Sequence, residues 1–66
     1  NLADSVKVSA LPGELIIVTQ REMPVAIATA DGKVIAKTSV SGRRAFPIEP
    51  GIYLVTVDNR TYKIIL

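Results

Sequence analysis

The stretch Ile52-Tyr53-Leu54-Val55-Thr56-Val57 decides the fold. All but Leu54 are β-branched or aromatic, the types that favour the extended chain. Successive side chains of a strand point to opposite faces, so Tyr53, Val55 and Val57 share one side and Ile52, Leu54 and Thr56 the other. Both sides are largely apolar, which places this strand centrally in a sheet. Glu49-Pro50-Gly51 stops it on one side. Asp58-Asn59, a pair suited to a tight hairpin, stops it on the other.

Working outward, the same grammar repeats. Thr61 to Leu66 alternates and forms the partner strand, with Tyr62, Ile64 and Leu66 on one face. Upstream, Val6-Lys7-Val8-Ser9-Ala10 alternates with period two. Leu11-Pro12-Gly13 breaks it with the composition of a type II turn. Leu15 to Thr19 is a second strand, Arg21-Glu22-Met23-Pro24 a polar corner, and Val25 to Thr29 a third strand. Asp31-Gly32 then predicts a hairpin with a type I′ turn. Val34 to Val40 returns, with Val34, Ala36, Thr38 and Val40 on one face. Ser41-Gly42 reads as another turn. Arg43 to Ile48 is a short strand whose Pro47 marks an edge or an irregular crossing.

No segment of ten or more residues has a helical period. About seven short strands, with turns every eight to twelve residues, predict an all-β fold. The expected form is a compact immunoglobulin-like antiparallel β-sandwich, one domain over residues 1–66. Tyr53 is expected in the core, its hydroxyl reaching a backbone partner.

Composition bounds the function. The 66 residues are 48 % hydrophobic and 21 % charged, which excludes disorder by composition. Histidine and cysteine are both absent, which removes thiol catalysis, Ser-His-Asp chemistry and most zinc, copper and haem sites. No cofactor is expected. The net charge is +2, and the cations Lys7, Arg21, Lys33, Lys37, Arg43, Arg44, Arg60 and Lys63 are spread along the chain. Nucleic-acid binding needs convergent cations and is not expected. No apolar run approaches the roughly 20 residues of a membrane-spanning helix. The first residue is Asn1 and not Met, so an excised fragment or processed product is expected.

The carboxylates Asp4, Glu14, Glu22, Asp31, Glu49 and Asp58 form no metal-ligand motif and mostly border turns. Ser5, Ser9, Ser39 and Ser41 lack the flanking glycines of a nucleophile elbow. The isolated Gly13, Gly32, Gly42 and Gly51 make no phosphate cradle. An enzyme is not expected. Tyr53 and Tyr62 are candidates for stacking on a sugar. Asn59-Arg60-Thr61 matches an N-glycosylation sequon, read here as a turn.

Three blocks carry a family resemblance. Asp31-Gly32-Lys33-Val34-Ile35 resembles a strand-pair motif of the C-terminal sorting domains of the type IX secretion system in Bacteroidetes. Pro50-Gly51-Ile52-Tyr53-Leu54-Val55-Thr56-Val57 is similar to their Gly-[Val/Ile]-Tyr block, the most specific of the three. Lys63-Ile64-Ile65-Leu66 resembles their terminal strand. The family's opening Tyr-Pro-Asn-Pro is replaced by Ser9 to Glu14, with Pro12 but no Asn-Pro. That version is similar to a related set of C-terminal domains on secreted Bacteroidetes proteins.

The resemblance implies the C-terminal domain of a larger secreted protein, destined for the medium or cell surface via the periplasm. It implies a non-catalytic sorting signal recognised by outer-membrane secretion machinery. The motif residues are then Asp31, Gly32, Lys33, Gly51, Tyr53, Val55 and Lys63. The alternative is an immunoglobulin-like accessory module that binds glycan or protein, or spaces an upstream enzyme or adhesin. Partners are accordingly the secretion machinery, an upstream domain, or a second copy through an edge strand such as Tyr62 to Leu66.

Overall fold

The computed structural model describes residues 6–66. Asp4 and Ser5, candidates above, lie outside them. The described residues form five strands: β1 (Val6–Leu11), β2 (Glu14–Thr29), β3 (Val34–Pro47), β4 (Ile52–Val57) and β5 (Arg60–Ile65). All pairs are antiparallel. The order is β1-β2-β4-β5, and β3 pairs along the other side of β2.

The all-β, antiparallel expectation holds, and β4 is central between β2 and β5. The expected seven strands in an immunoglobulin-like sandwich do not. Two pairs of expected strands are single long strands, and the sheet is one curled half-barrel. The cause lies at the corner. Register runs from Glu14↔Pro47 to Thr19↔Gly42, then resumes at Met23↔Val40. Gln20, Arg21 and Glu22 thus stand opposite Ser41 alone. The surplus on β2 bends both strands together. Gly42, at φ 83°, supplies the left-handed residue this needs. What reads as a corner in one segment and a turn in the other is a single shared bend.

The bend folds one apolar stripe onto itself. Leu15, Ile17, Met23, Val25, Ile27, Val40, Tyr53, Val55 and Val57 form the buried core. Val6, Val8, Ala36, Phe46, Ile48, Tyr62, Ile64 and Leu66 pack against it. Thr19 is the buried polar residue of the corner, 3 % exposed. Its hydroxyl donates to the Val40 carbonyl at 3.0 Å and so stitches the two halves across the register break.

A second irregularity corrects the facing of β3. Ile27 pairs Ala36 but Ala28 pairs Val34, so Ile35 is an extra residue. Val34 therefore leaves the Ala36-Thr38-Val40 face and stands 56 % exposed on the outer side. The neighbouring turn is also revised. Only Gly32 has positive φ there (95°), whereas a type I′ turn needs two such residues. Gly32 N donates to Thr29 O at 2.9 Å and Thr29 N to Lys33 O at 2.8 Å. This is a three-residue loop ending in a left-handed glycine.

The chain end is built in, as the alternation through Tyr62, Ile64 and Leu66 predicts. Leu66 N donates to Gly51 O at 2.9 Å and Gly51 N to Leu66 O at 3.2 Å, extending the β4–β5 ladder. β1 comes alongside the other edge of β5.

Candidate functional site

The residues singled out from the sequence gather at one end of the half-barrel only in part. Asp31, Gly32 and Lys33 form the β2–β3 loop. Thr29, at its base, pairs with Tyr53 at the start of β4. Gly51, Tyr53 and the loop thus share an end. Val55 is fully buried in the middle of β4. Lys63 is on β5, paired with Leu54, with its side chain on the outer face. The seven do not converge on one point.

Their chemistry is mostly structural. Tyr53 is 8 % exposed, and its hydroxyl donates to the Glu49 carbonyl at 2.7 Å, as expected. Ring and hydroxyl are both occupied, so it is not a sugar-stacking platform. Tyr62 is half-buried against the same core. Gly51 has a positive φ of 159°, a backbone conformation that side-chain-bearing residues rarely adopt. A Cβ there would lie 3.4 Å from the Tyr53 ring, ordinary contact distance.

Asp31 is fully exposed. Its carboxylate accepts the Thr29 hydroxyl. That bond, and next a backbone hydrogen bond from Lys33, hold its pKa below the usual carboxylate value. Lys33 N also donates to Thr29 Oγ1 at 3.2 Å. The arrangement fixes a loop and presents one anion and one cation to solvent.

A groove of about 550 Å³ runs beside this end, lined by Gly13, Thr29, Ile35, Pro47, Ile48, Glu49 and Tyr53. Its walls are mainly apolar and carry no acid–base pair. At the opposite end Arg21, Asp58, Asn59 and Arg60 rim a smaller hollow of about 250 Å³ over Met23 and Val57. Arg21 and Asp58 form an exposed ion pair there at 3.7 Å. Asn59 sits in the β4–β5 turn. Asp58 has φ 58°, and Thr61 Oγ1 lies 3.2 Å from Thr56 Oγ1. Among the described residues no three His, Cys, Asp or Glu come together as a metal site.

One feature escapes a reading of the chain as a line. The cations look scattered in sequence, yet Lys37, Arg43 and Arg44 all lie on β3, where no carboxylate occurs. Lys37 and Arg43 point outward. Arg44 turns to the concave side, its guanidinium 5.0 Å over the Phe46 ring and its Nη1 3.4 Å from Thr38 Oγ1. The signal available was the even spacing of Lys37 and Arg43, which puts them on one face once the bend is known.

No helix of the described residues is long and apolar enough to cross a membrane. No protein-family model, no curated protein and no solved structure matches the chain.

Proposed function

We propose that this chain is a non-catalytic sorting domain, read as a folded unit by an outer-membrane export machinery after passage through the periplasm. It would form the C-terminal part of a larger secreted or surface protein of a Bacteroidetes-type cell. The observation that carries this reading is the place of the resembling blocks. The Gly51–Val57 block is the central strand, and the Lys63–Leu66 block is the strand that closes on it, bonded through Leu66 to Gly51. Three motif side chains, Asp31, Lys33 and Lys63, remain exposed or on the outer face for contact. Gly51, Tyr53 and Val55 maintain the fold that presents them.

The test is a fusion of residues 1–66 to the C-terminus of a periplasmic reporter in a type IX-competent host. Export of the reporter is expected, and its loss in a strain lacking the outer-membrane translocon. A folded fusion that stays in the periplasm contradicts the proposal.

A further inference from the structure

We propose that the open edge of β3 is a docking site for an extended, acidic peptide strand. The inference is independent of the sorting reading.

Among the described residues, β3 has a hydrogen-bonded neighbour on its β2 side only. In an antiparallel pair, alternate residues turn their N–H and C=O toward the partner. Ile48 N donating to Gly13 O at 3.1 Å sets the phase beyond the bend. Phe46, Arg44 and Gly42 face β2 in turn, so Arg43, Ala45 and Pro47 face outward. Before the bend, Asp58 N donating to Pro24 O at 2.8 Å commits Pro24, Ala26 and Ala28 to β4. Met23, Val25 and Ile27 then bond Val40, Thr38 and Ala36. Lys37 and Ser39 face outward. The free edge is therefore a row of donors and acceptors at Lys37, Ser39, Arg43 and Ala45. Pro47, which has no N–H, ends the row.

The charge beside this row selects its occupant. Lys37 and Arg43 flank it on the outer face and Arg44 on the concave side. No ion pair engages them among the described residues. The nearest carboxylates in register are Glu14, paired opposite Pro47, and Glu22, in the bend opposite Ser41. Neither is bonded to these cations. A second copy is a poor occupant, since two-fold pairing centred on Val40 would set Lys37 against the other copy's Arg43. Like charges directly opposite destabilise a ladder. A strand with carboxylates at alternate positions meets both requirements: backbone bonds supply affinity and the cations supply selection. The same cations and Pro47 discourage indiscriminate edge pairing.

The test titrates the ¹⁵N-labelled chain with a capped octapeptide of alternating glutamate and valine, and with its lysine–valine counterpart. Amide shifts and slowed exchange are expected at Lys37, Ser39, Arg43 and Ala45, with the glutamate peptide alone. Affinity should fall about tenfold or more between low and high salt. Lys37→Glu with Arg43→Glu should exchange the preference for the lysine peptide. Ser39→Pro, which removes an outward N–H and leaves the β2 ladder intact, should weaken binding several-fold. Equal binding of both peptides, shifts centred on β1 or β5, or no shift at about millimolar peptide would overturn the proposal. The wild-type shift map and salt dependence decide the matter even if a variant fails to fold.

Discussion

Thr19→Val removes one oxygen and tests how the corner is held. Valine has the same shape and suits a strand, so backbone and packing should persist. What is lost is the 3.0 Å bond from the Thr19 hydroxyl to the Val40 carbonyl, at a site 3 % exposed. The Val40 carbonyl keeps Met23 as its ladder partner, so what is lost is one ordinary hydrogen bond, about 0.5–1.5 kcal/mol. Burying a methyl in place of the hydroxyl offsets part of this. The net loss is about 0.5–1 kcal/mol. A chain of 66 residues has a total stability of about 3–10 kcal/mol, so the loss is measurable. At about 4–8 °C per kcal/mol, Tm should drop by about 2–8 °C. Urea unfolding followed by circular dichroism measures the change directly. Thr19→Ser, which keeps the hydroxyl and loses only a methyl, should retain the peptide shifts of the corner. A Thr19→Val chain as stable as the wild type would refute the reasoning, because the hydroxyl bond across the bend would then contribute nothing.

Three further outcomes are expected. Tyr53→Phe should lose about 0.5–1.5 kcal/mol with the bond to Glu49 O, and Tyr53→Ala about 3–5 kcal/mol, both read by thermal melting. Deleting Ile64 to Leu66 removes two partly buried apolar side chains, each worth up to about 1.5–3 kcal/mol, together with the Gly51–Leu66 bonds; loss of the dispersed NMR spectrum is expected, and an unchanged melting point would contradict it. Asp31 has a folded pKa below its usual value, so its ionisation favours the fold above about pH 4, and that contribution disappears as pH falls through the lower folded value. Asp31→Asn should flatten this acid limb in pH-dependent urea titrations and leave stability unaffected by pH changes near neutrality.

Much of this fold was legible because alternation reports faces directly. Tyr53, Val55 and Val57 lie in the core, and Tyr62, Ile64 and Leu66 pack on it, as their spacing requires. The errors came from features that depend on pairing. Arg21-Glu22 and Ser41-Gly42 each resemble an ending, and only their position opposite one another makes them a bend. Ile35 looks like any strand residue, yet as a bulge it moves Val34 to the other face. Asp31-Gly32 has the composition of a type I′ turn, but the Asp31 side chain is held by Thr29 and only the glycine takes positive φ. The surface was less legible than the core. Lys37, Arg43 and Arg44 become one cationic edge through the strand they share, a property of the sheet and not of local sequence.

Amide hydrogen exchange along β3 tests the central claim, a curled sheet whose bent β3 edge is open. Gly42, Arg44, Phe46 and Ile48 should be protected, because their N–H groups face β2. Lys37, Ser39, Arg43 and Ala45 should exchange near the rate of an unstructured chain. Protection of both sets would mean that β3 has a partner on each side, and the half-barrel would be wrong.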